Sequence, residues 1–204
     1  MSNVSYSYSD DGKVAYGKLP NGTVFVIDAD NVEKIKAVKF YLGGKGYSND
    51  HYYVIDCRGK ALHNYLFEHR KGFEIDHINL DTMDNRRCNI RHCTHQQNQM
   101  NQPLQKNNTS GVSGVSYYPP RHKFRARIKV FQQEIHLGYF DTFDDAVKAR
   151  NIGMLCMFGQ YGQYNNVGKA PDWIENKVAE KCACYAELSQ NSAYFDFWDR
   201  GGGE

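Results

Sequence analysis

An aspartate and a histidine stand side by side at Asp76-His77, and two asparagines follow at Asn89 and Asn98. Hydrolysing a phosphodiester needs a base to activate water and a cation to stabilise charge on the phosphoryl and leaving oxygens. An imidazole changes charge near neutral pH, which makes His77 the candidate base. The carboxylate of Asp76 is a hard oxygen donor, and the amide of Asn98 offers a second oxygen. Such donors suit Mg²⁺ or Mn²⁺, one ion per centre. Asp84-Asn85-Arg86 and Asn89 lie between. Short polar side chains there can satisfy the backbone of an irregular loop. Asn89 is also placed to hold the His77 ring, because catalytic bases are commonly oriented by a third group. The plainer reading of these residues is a polar loop of turn-formers with Asp-His as a surface pair.

Three elements must bring these groups together. Phe73–Ile75 reads as a short strand that delivers Asp76-His77, and residues 79–89 read as a loop. Thr94 followed by Gln97 has the capping-box spacing, so a helix carrying Asn98 is expected to start there. Upstream, Thr23–Ile27 is a strand candidate. Residues 1–12 are polar and read as loose. Asp30 is expected to cap a helix through Lys39, with Val32, Ile35 and Val38 on one face. Phe40–Leu42 and His51–Ile55 read as strands around Gly43-Gly44-Lys45-Gly46. Leu62–His69 reads as a helix, and His63 on it is either structural or substrate-facing.

Residues 73–98 resemble the HNH endonucleases, in particular the phage and mobile-element homing enzymes of the His-Asn-Asn variety. The matching residues are Asp76-His77, Asp84-Asn85-Arg86-Arg87-Cys88-Asn89-Ile90-Arg91, Thr94 and Asn98; Leu62-His63 is similar to their Leu-His-Arg segment, with Asn64 in place of the arginine. The resemblance implies a ββα-metal (His-Me finger) nuclease domain. It implies His77 as general base, Asp76 and Asn98 as ligands of one divalent metal, and Asn89 as the brace of loop and base. It also brings Arg86 and Arg91 towards DNA.

A second unit is expected after a hinge rich in Pro, Gly, Asn and Ser at residues 101–114. Phe124–Val130 alternates strictly: Phe124, Ala126, Ile128 and Val130 face one way, and Arg125, Arg127 and Lys129 the other. Ile135–Phe140 is a further strand, and Thr142 begins a helix to about Phe158. Ala146, Ala149, Arg150, Gly153 and Met157 let that helix lie closely on a sheet. Residues 111–165 resemble the apetala-two/ethylene-response-factor DNA-binding domain through Ser113-Gly114-Val115, Phe124-Arg125-Ala126-Arg127-Ile128 and His136-Leu137-Gly138-Tyr139-Phe140. The match continues at Ala146, Ala149-Arg150 and Phe158-Gly159 to Asn165. That family lays a three-stranded sheet, backed by a helix, into the major groove. Arg125, Arg127 and Lys129 would then face DNA, with Arg121 on phosphate. Tyr117 and Tyr118 serve either the core or a phosphate.

The chain is therefore expected to be α+β: a nuclease domain followed by a small three-stranded antiparallel sheet packed on one helix. The segments are an N-terminal α+β leader at 1–57, the nuclease core at 58–102 and a linker at 103–112. A DNA-binding domain at 113–165 and an aromatic-containing tail at 166–204 complete it; the tail is expected to pack back on a domain, with its last four residues frayed. The formal charge of +2 names no partner. Its distribution says more, because residues 106–138 hold six Lys/Arg against the single acid Glu134. That local excess is an electrostatic footprint for DNA, or a merely solvated face. The six cysteines lack the paired four-thiolate spacing of a structural zinc site, so free thiols are expected. No apolar run approaches the ~20 residues of a membrane span. The start lacks a secretory-signal pattern, so a bacterial or phage-infected cytoplasm is the expected location. The function expected is a homing-type, site-preferring endonuclease that acts as a monomer on double-stranded DNA, with a dimer as the alternative. It would nick one strand per centre to leave 5′-phosphate and 3′-hydroxyl ends. A restriction or defence nuclease, and a silent HNH-fold regulator or inhibitor, are the rival readings.

Overall fold

The structure is a computed structural model describing residues 3–43, 52–102, 104 and 106–191. It is α+β and divides into two compact units, residues 1–95 and 96–204. The leader and most of the expected nuclease core share the first unit. The glycine turn after Gly43, the residue His51, Pro103 and the aromatics from Tyr194 onward lie outside the described residues. Among the described residues, no helix is long and apolar enough to cross a membrane.

The first unit opens with a sheet of β1 (Ser5–Tyr8), β2 (Val14–Lys18) and β3 (Val24–Asp28), antiparallel and in that order. From residue 3 on, the polar run expected to be loose carries a strand instead. Its Ser-Tyr alternation puts Tyr6 edge-on against Phe25, ring centroids 6.4 Å apart. Serines in place of apolar residues hid the strand, because period two shows only when the two faces differ in polarity. The helix expected from Asp30 to Lys39 is shorter. A 3-10 turn at Ala29–Asn31 leads into one turn of helix, α1 (Val32–Ile35), and neither has a side-chain cap. The chain must leave the helix early to place Phe40 in β4 (Phe40–Leu42), which pairs with β5 (Val54–Asp56). Phe40 is fully buried there. Helix α2 (His63–Leu66) ends four residues in, where Phe67 turns extended.

The first core gathers Ala15, Leu19, Phe25, Ile27, Val32, Ile35, Phe40, Val54, Leu62 and Leu66. Outside it, β6 (Glu74–His77) pairs antiparallel with β7 (Ile90–Cys93), an unanticipated strand. Helix α3 (His95–Met100) follows, and Asn98 lies on its part within the second unit.

The second unit has the three strands and helix expected of it. Strands β8 (Val115–Tyr118), β9 (Lys123–Val130) and β10 (Gln133–Phe140) form an antiparallel sheet with β9 in the middle. Helix α4 (Phe143–Phe158) is capped by Thr142, whose Oγ1 accepts the Asp145 N–H at 3.1 Å. Gly153 lets the helix sit close, since a Cβ there would come within 2.7 Å of Leu137 Cδ1. Gly114 has φ +78°, and a Cβ there would lie 2.2 Å from the Arg127 carbonyl oxygen. The tail contributes α5 (Asp172–Ala183). Ile174, Val178 and Cys182 join the second core, and Trp173 lies on Phe140 with ring centroids 6.1 Å apart. The tail thus packs on this unit through a helix, not through aromatics alone.

Candidate functional site

Asp76 and His77 end β6, and both are buried. Their strand partners are Arg91 and Ile90 on β7. The hairpin thereby sets Arg91 against Asp76: Nε donates to Oδ2 at 2.8 Å, and Nη2 lies 2.8 Å from the same oxygen. The Arg91 side chain is only 14% exposed, so the pair is shielded from water, and loss of either partner would strand a buried charge.

The loop after His77 turns at once. Leu80, at φ +67°, donates its N–H to the His77 carbonyl at 3.0 Å. A non-glycine residue there costs about 1 kcal/mol or more, a strain typical of functional loops. Asn89 braces the loop from within. Its Oδ1 accepts the Asn79 N–H at 2.9 Å and its Nδ2 donates to the Asp84 carbonyl at 2.8 Å. Asn89 is thus bonded within the loop, and the amide beside the imidazole is that of Asn85, whose Oδ1 lies 3.2 Å from His77 Nε2.

The amide orientation of Asn85 decides the tautomer. Its Nδ2 donates to the Thr82 carbonyl at 3.1 Å, which turns Oδ1 towards the imidazole. An oxygen only accepts, so His77 Nε2 must carry the proton. Nδ1 is then the basic nitrogen. Two more rings surround His77. His63 lies edge-on at 5.2 Å between centroids, and Tyr53 is 6.2 Å away. Burial, with His77 alongside, pushes the His63 pKa down to about 4. Burial also lowers the pKa of His77, against the opposing pull of the Asn85 bond and of Asp76. The Tyr53 phenol is raised, by burial first and then by Asp76. Sequence reasoning left His63 undecided and missed Tyr53, which no spacing marks out. Asn85 stood in the quoted Asp-Asn-Arg run but was not singled out.

Arg86, expected at DNA, makes a fork with Asp84: Nε to Oδ1 at 2.8 Å and Nη2 to Oδ2 at 2.6 Å. That bond holds the Asp84 carboxyl below its usual range. Arg86 and Arg91 are therefore both placed on carboxylates of the first unit.

Among the described residues, no group of three or more His, Cys, Asp or Glu side chains could hold a metal. Cys93 is buried, with its thiol pushed up to about 12 by burial, and Cys88 is exposed. The hard-donor set expected from the sequence, one carboxylate and one amide oxygen with water in the remaining positions, is of a different kind. It fits an oxygen-seeking divalent ion.

On the second unit, the sheet face opposite the core carries Arg125, Arg127 and Lys129, as their alternation predicts. The Arg121 guanidinium lies over Tyr139 at 4.6 Å, and that of Arg125 over Tyr118 at 5.5 Å. The two tyrosine rings are 5.2 Å apart, and His136 lies 4.6 Å from Tyr139. Arg127 differs, because its Nη1 donates to Glu134 Oε2 at 2.7 Å. Among the described residues, buried Arg125 Nε and His136 Nε2 find no hydrogen-bond partner. Buried polar atoms of this kind call for water or a bound group.

Residues 61–100 match the family model described as HNH endonuclease, which supports a nuclease. No curated protein and no solved structure matches the chain.

Proposed function

We propose that this chain is a divalent-metal-dependent, homing-type DNA endonuclease, in which His77 is the general base and the second unit reads DNA. The observation that carries the reading is the bond from His77 to Asn85. It selects the Nε2-protonated tautomer and makes Nδ1 the proton acceptor. Burial depresses the imidazole pKa, so the ring is neutral and ready to accept a proton at neutral pH. Nδ1 would take a proton from the attacking water, and the ring becomes an imidazolium stabilised by Asn85 and the adjacent Asp76. Leu80 and Asn89 hold the turn that keeps the ring in place.

Mg²⁺ or Mn²⁺, when bound, would supply charge neutralisation at the scissile phosphate and its leaving oxygen. Asp76 is its proposed ligand here, with Asn98 the second that the motif implies. Arg91 neutralises Asp76 in the protein alone. Products would be 5′-phosphate and 3′-hydroxyl ends, one strand per centre.

The reader proposal rests on the basic-aromatic face. Arg121 and Arg125 are held on tyrosines, a geometry that pre-orders two guanidiniums for phosphate or guanine. Lys129 is exposed beside them. The likeness to the apetala-two/ethylene-response-factor domain points the same way. Supercoiled plasmid incubated with Mg²⁺, with Mn²⁺ or with a chelator tests the proposal. Nicked circles with 5′-phosphate ends, formed only with a cation, are expected. Intact plasmid under all conditions rejects it.

One observation favours a second reading. The shielded Asp76–Arg91 pair is also what a catalytically silent HNH fold used for DNA binding would contain. Metal titration separates the two, because a silent fold binds duplex but neither Mg²⁺ nor Mn²⁺.

A further inference from the structure

Among the described residues, strand β3 is an edge of its sheet, with β2 as its one neighbouring strand. An exposed strand edge is a row of unpaired backbone groups that proteins normally cover. Here the cover is the nuclease loop. The Val26 N–H donates to the Met83 carbonyl at 2.8 Å, and the Asn85 N–H donates to the Val26 carbonyl at 2.8 Å. These bonds make a parallel bridge between Val26 and Asp84. One step along, the Arg87 N–H donates to Asp28 Oδ2 at 2.9 Å, and the Arg87 guanidinium reaches Asp30 at 2.5 Å. The Met83 side chain packs against the first core. The loop is therefore fastened by backbone, by a carboxylate and by an apolar anchor, all to residues of the N-terminal segment or the core it builds.

The fastening brackets one functional residue. Asn85 is 1% exposed, its own N–H is tied to Val26, and its side chain holds His77. We propose that the N-terminal sheet is a clamp for the catalytic loop, with Val26 and Asp28 as positioning residues that fix Asn85 and, through it, the His77 ring. The clamp itself is a statement about this chain's own contacts; its catalytic consequence rests on the nuclease reading above. It assigns a task to residues 5–28 that the family match, confined to 61–100, does not reach.

Both polar groups of Val26 face the loop, so Val26→Pro removes the donor to Met83 and no bond to β2. Proline is tolerated at such sheet edges. Asp28→Ala removes the acceptor for Arg87, and Asp28→Asn keeps an oxygen there. The full-length variants are compared by long-range ¹H–¹⁵N NMR of the His77 ring without DNA or metal, and by steady-state nicking with Mg²⁺.

Val26→Pro and Asp28→Ala are expected to keep their fold by circular dichroism and to show His77 exchanging between tautomers. Their kcat should fall, for Val26→Pro by about 10²-fold, with KM little changed. Asp28→Asn should restore both the His77 spectrum and kcat. A folded Val26→Pro or Asp28→Ala protein with an unaltered His77 spectrum overturns the clamp. If Val26→Pro does not fold, the Asp28 pair decides alone: rescue by Asn supports the clamp, and an unaltered spectrum in Asp28→Ala overturns it. Absence of nicking by the parent would fail the nuclease reading instead, and the NMR comparison would still decide the clamp.

Discussion

His77 Nε2 and Asn85 Oδ1 lie 3.2 Å apart, both residues buried, and Asn85 is itself anchored through Thr82. The Thr82 hydroxyl in turn donates to the Tyr52 carbonyl. A chain of three hydrogen bonds thus runs from the segment ahead of β5 to the ring proposed as the base.

The first expectation concerns that chain. Asn85→Ala removes the acceptor at Nε2 and lets both tautomers form. Since a positioned base is worth about 10²–10⁴-fold, kcat should fall by about 10²-fold with duplex affinity unchanged. Asn85→Asp places a carboxylate on the same proton and raises the His77 pKa. The acid limb of its kcat/KM profile should therefore move to higher pH than in the parent. Steady-state nicking from pH 5 to 9 checks both; a pH profile unmoved in Asn85→Asp removes Asn85 from the base.

Acid sensitivity of the fold supplies the second. His63 binds its proton at about 4 when folded, against 6.5 in the open chain. Between those values the unfolded state holds more protons, so stability is lost as pH falls from 6.5 towards 4. It is fully present above 6.5. The full loss is roughly 3 kcal/mol. Urea unfolding at pH 7 and pH 4.5 should show a smaller pH-dependent loss in His63→Gln than in the parent. Equal losses would mean that His63 is not the buried neutral group.

How much of this was legible follows the physics of each signal. The alternation of Phe124, Ala126, Ile128 and Val130 with three charges gave β9 and its outward face, because period two is visible when one side is buried. The capping Thr142 marked α4 for a local reason. The β1 strand escaped because Ser5–Tyr8 alternates serine with tyrosine and offers no strongly apolar face, and β7 because Ile90–Cys93 mixes polarity on both faces. At the site, Asp76, His77 and Asn89 stood out by type and spacing. Tyr53 and the bond to Asn85 did not, since both depend on how distant segments meet. The clamp on β3 is likewise a product of tertiary pairing that no local pattern announces.

A third expectation separates charge neutralisation from DNA contact. Arg91→Ala would leave Asp76 buried without its guanidinium, which costs about 3–5 kcal/mol for a broken shielded pair. A divalent ion that binds Asp76 would offset part of that loss. The melting temperature of Arg91→Ala should therefore rise with added Mg²⁺ more than that of the parent. Equal responses would argue that the ion does not use Asp76.

On the second unit, the arginines should rank by their partners. Arg127 is tied to Glu134, so Arg127→Ala should weaken duplex binding least. Arg121→Ala and Arg125→Ala should weaken it more. Lys129→Ala should lower affinity for all sequences and reduce the salt slope by about 1. Losing an arginine that reads guanine should instead cost about 1–3 kcal/mol of discrimination. Binding to a selected site and to random duplex over a salt series checks the ranking. Identical slopes and ratios across all four variants would take the reader role from this sheet.

Backbone sterics give a prediction independent of function. A Cβ at Gly114 would meet the Arg127 carbonyl, a backbone atom that cannot swing aside, at a φ that L-residues avoid. Gly114→Ala should destabilise the second unit by about 2–5 kcal/mol, the sum of left-handed strain and overpacking. Thermal unfolding reads the loss, and an unchanged midpoint would mean that β8 starts elsewhere.

The most direct measurement is Mg²⁺-initiated nicking of supercoiled plasmid by the parent and by His77→Ala, with duplex binding followed on the same preparations. The account predicts cation-dependent nicking by the parent, a loss of about 10²–10⁴-fold in the variant, and the same affinity for DNA in both. Nicking by His77→Ala at the parental rate would contradict it.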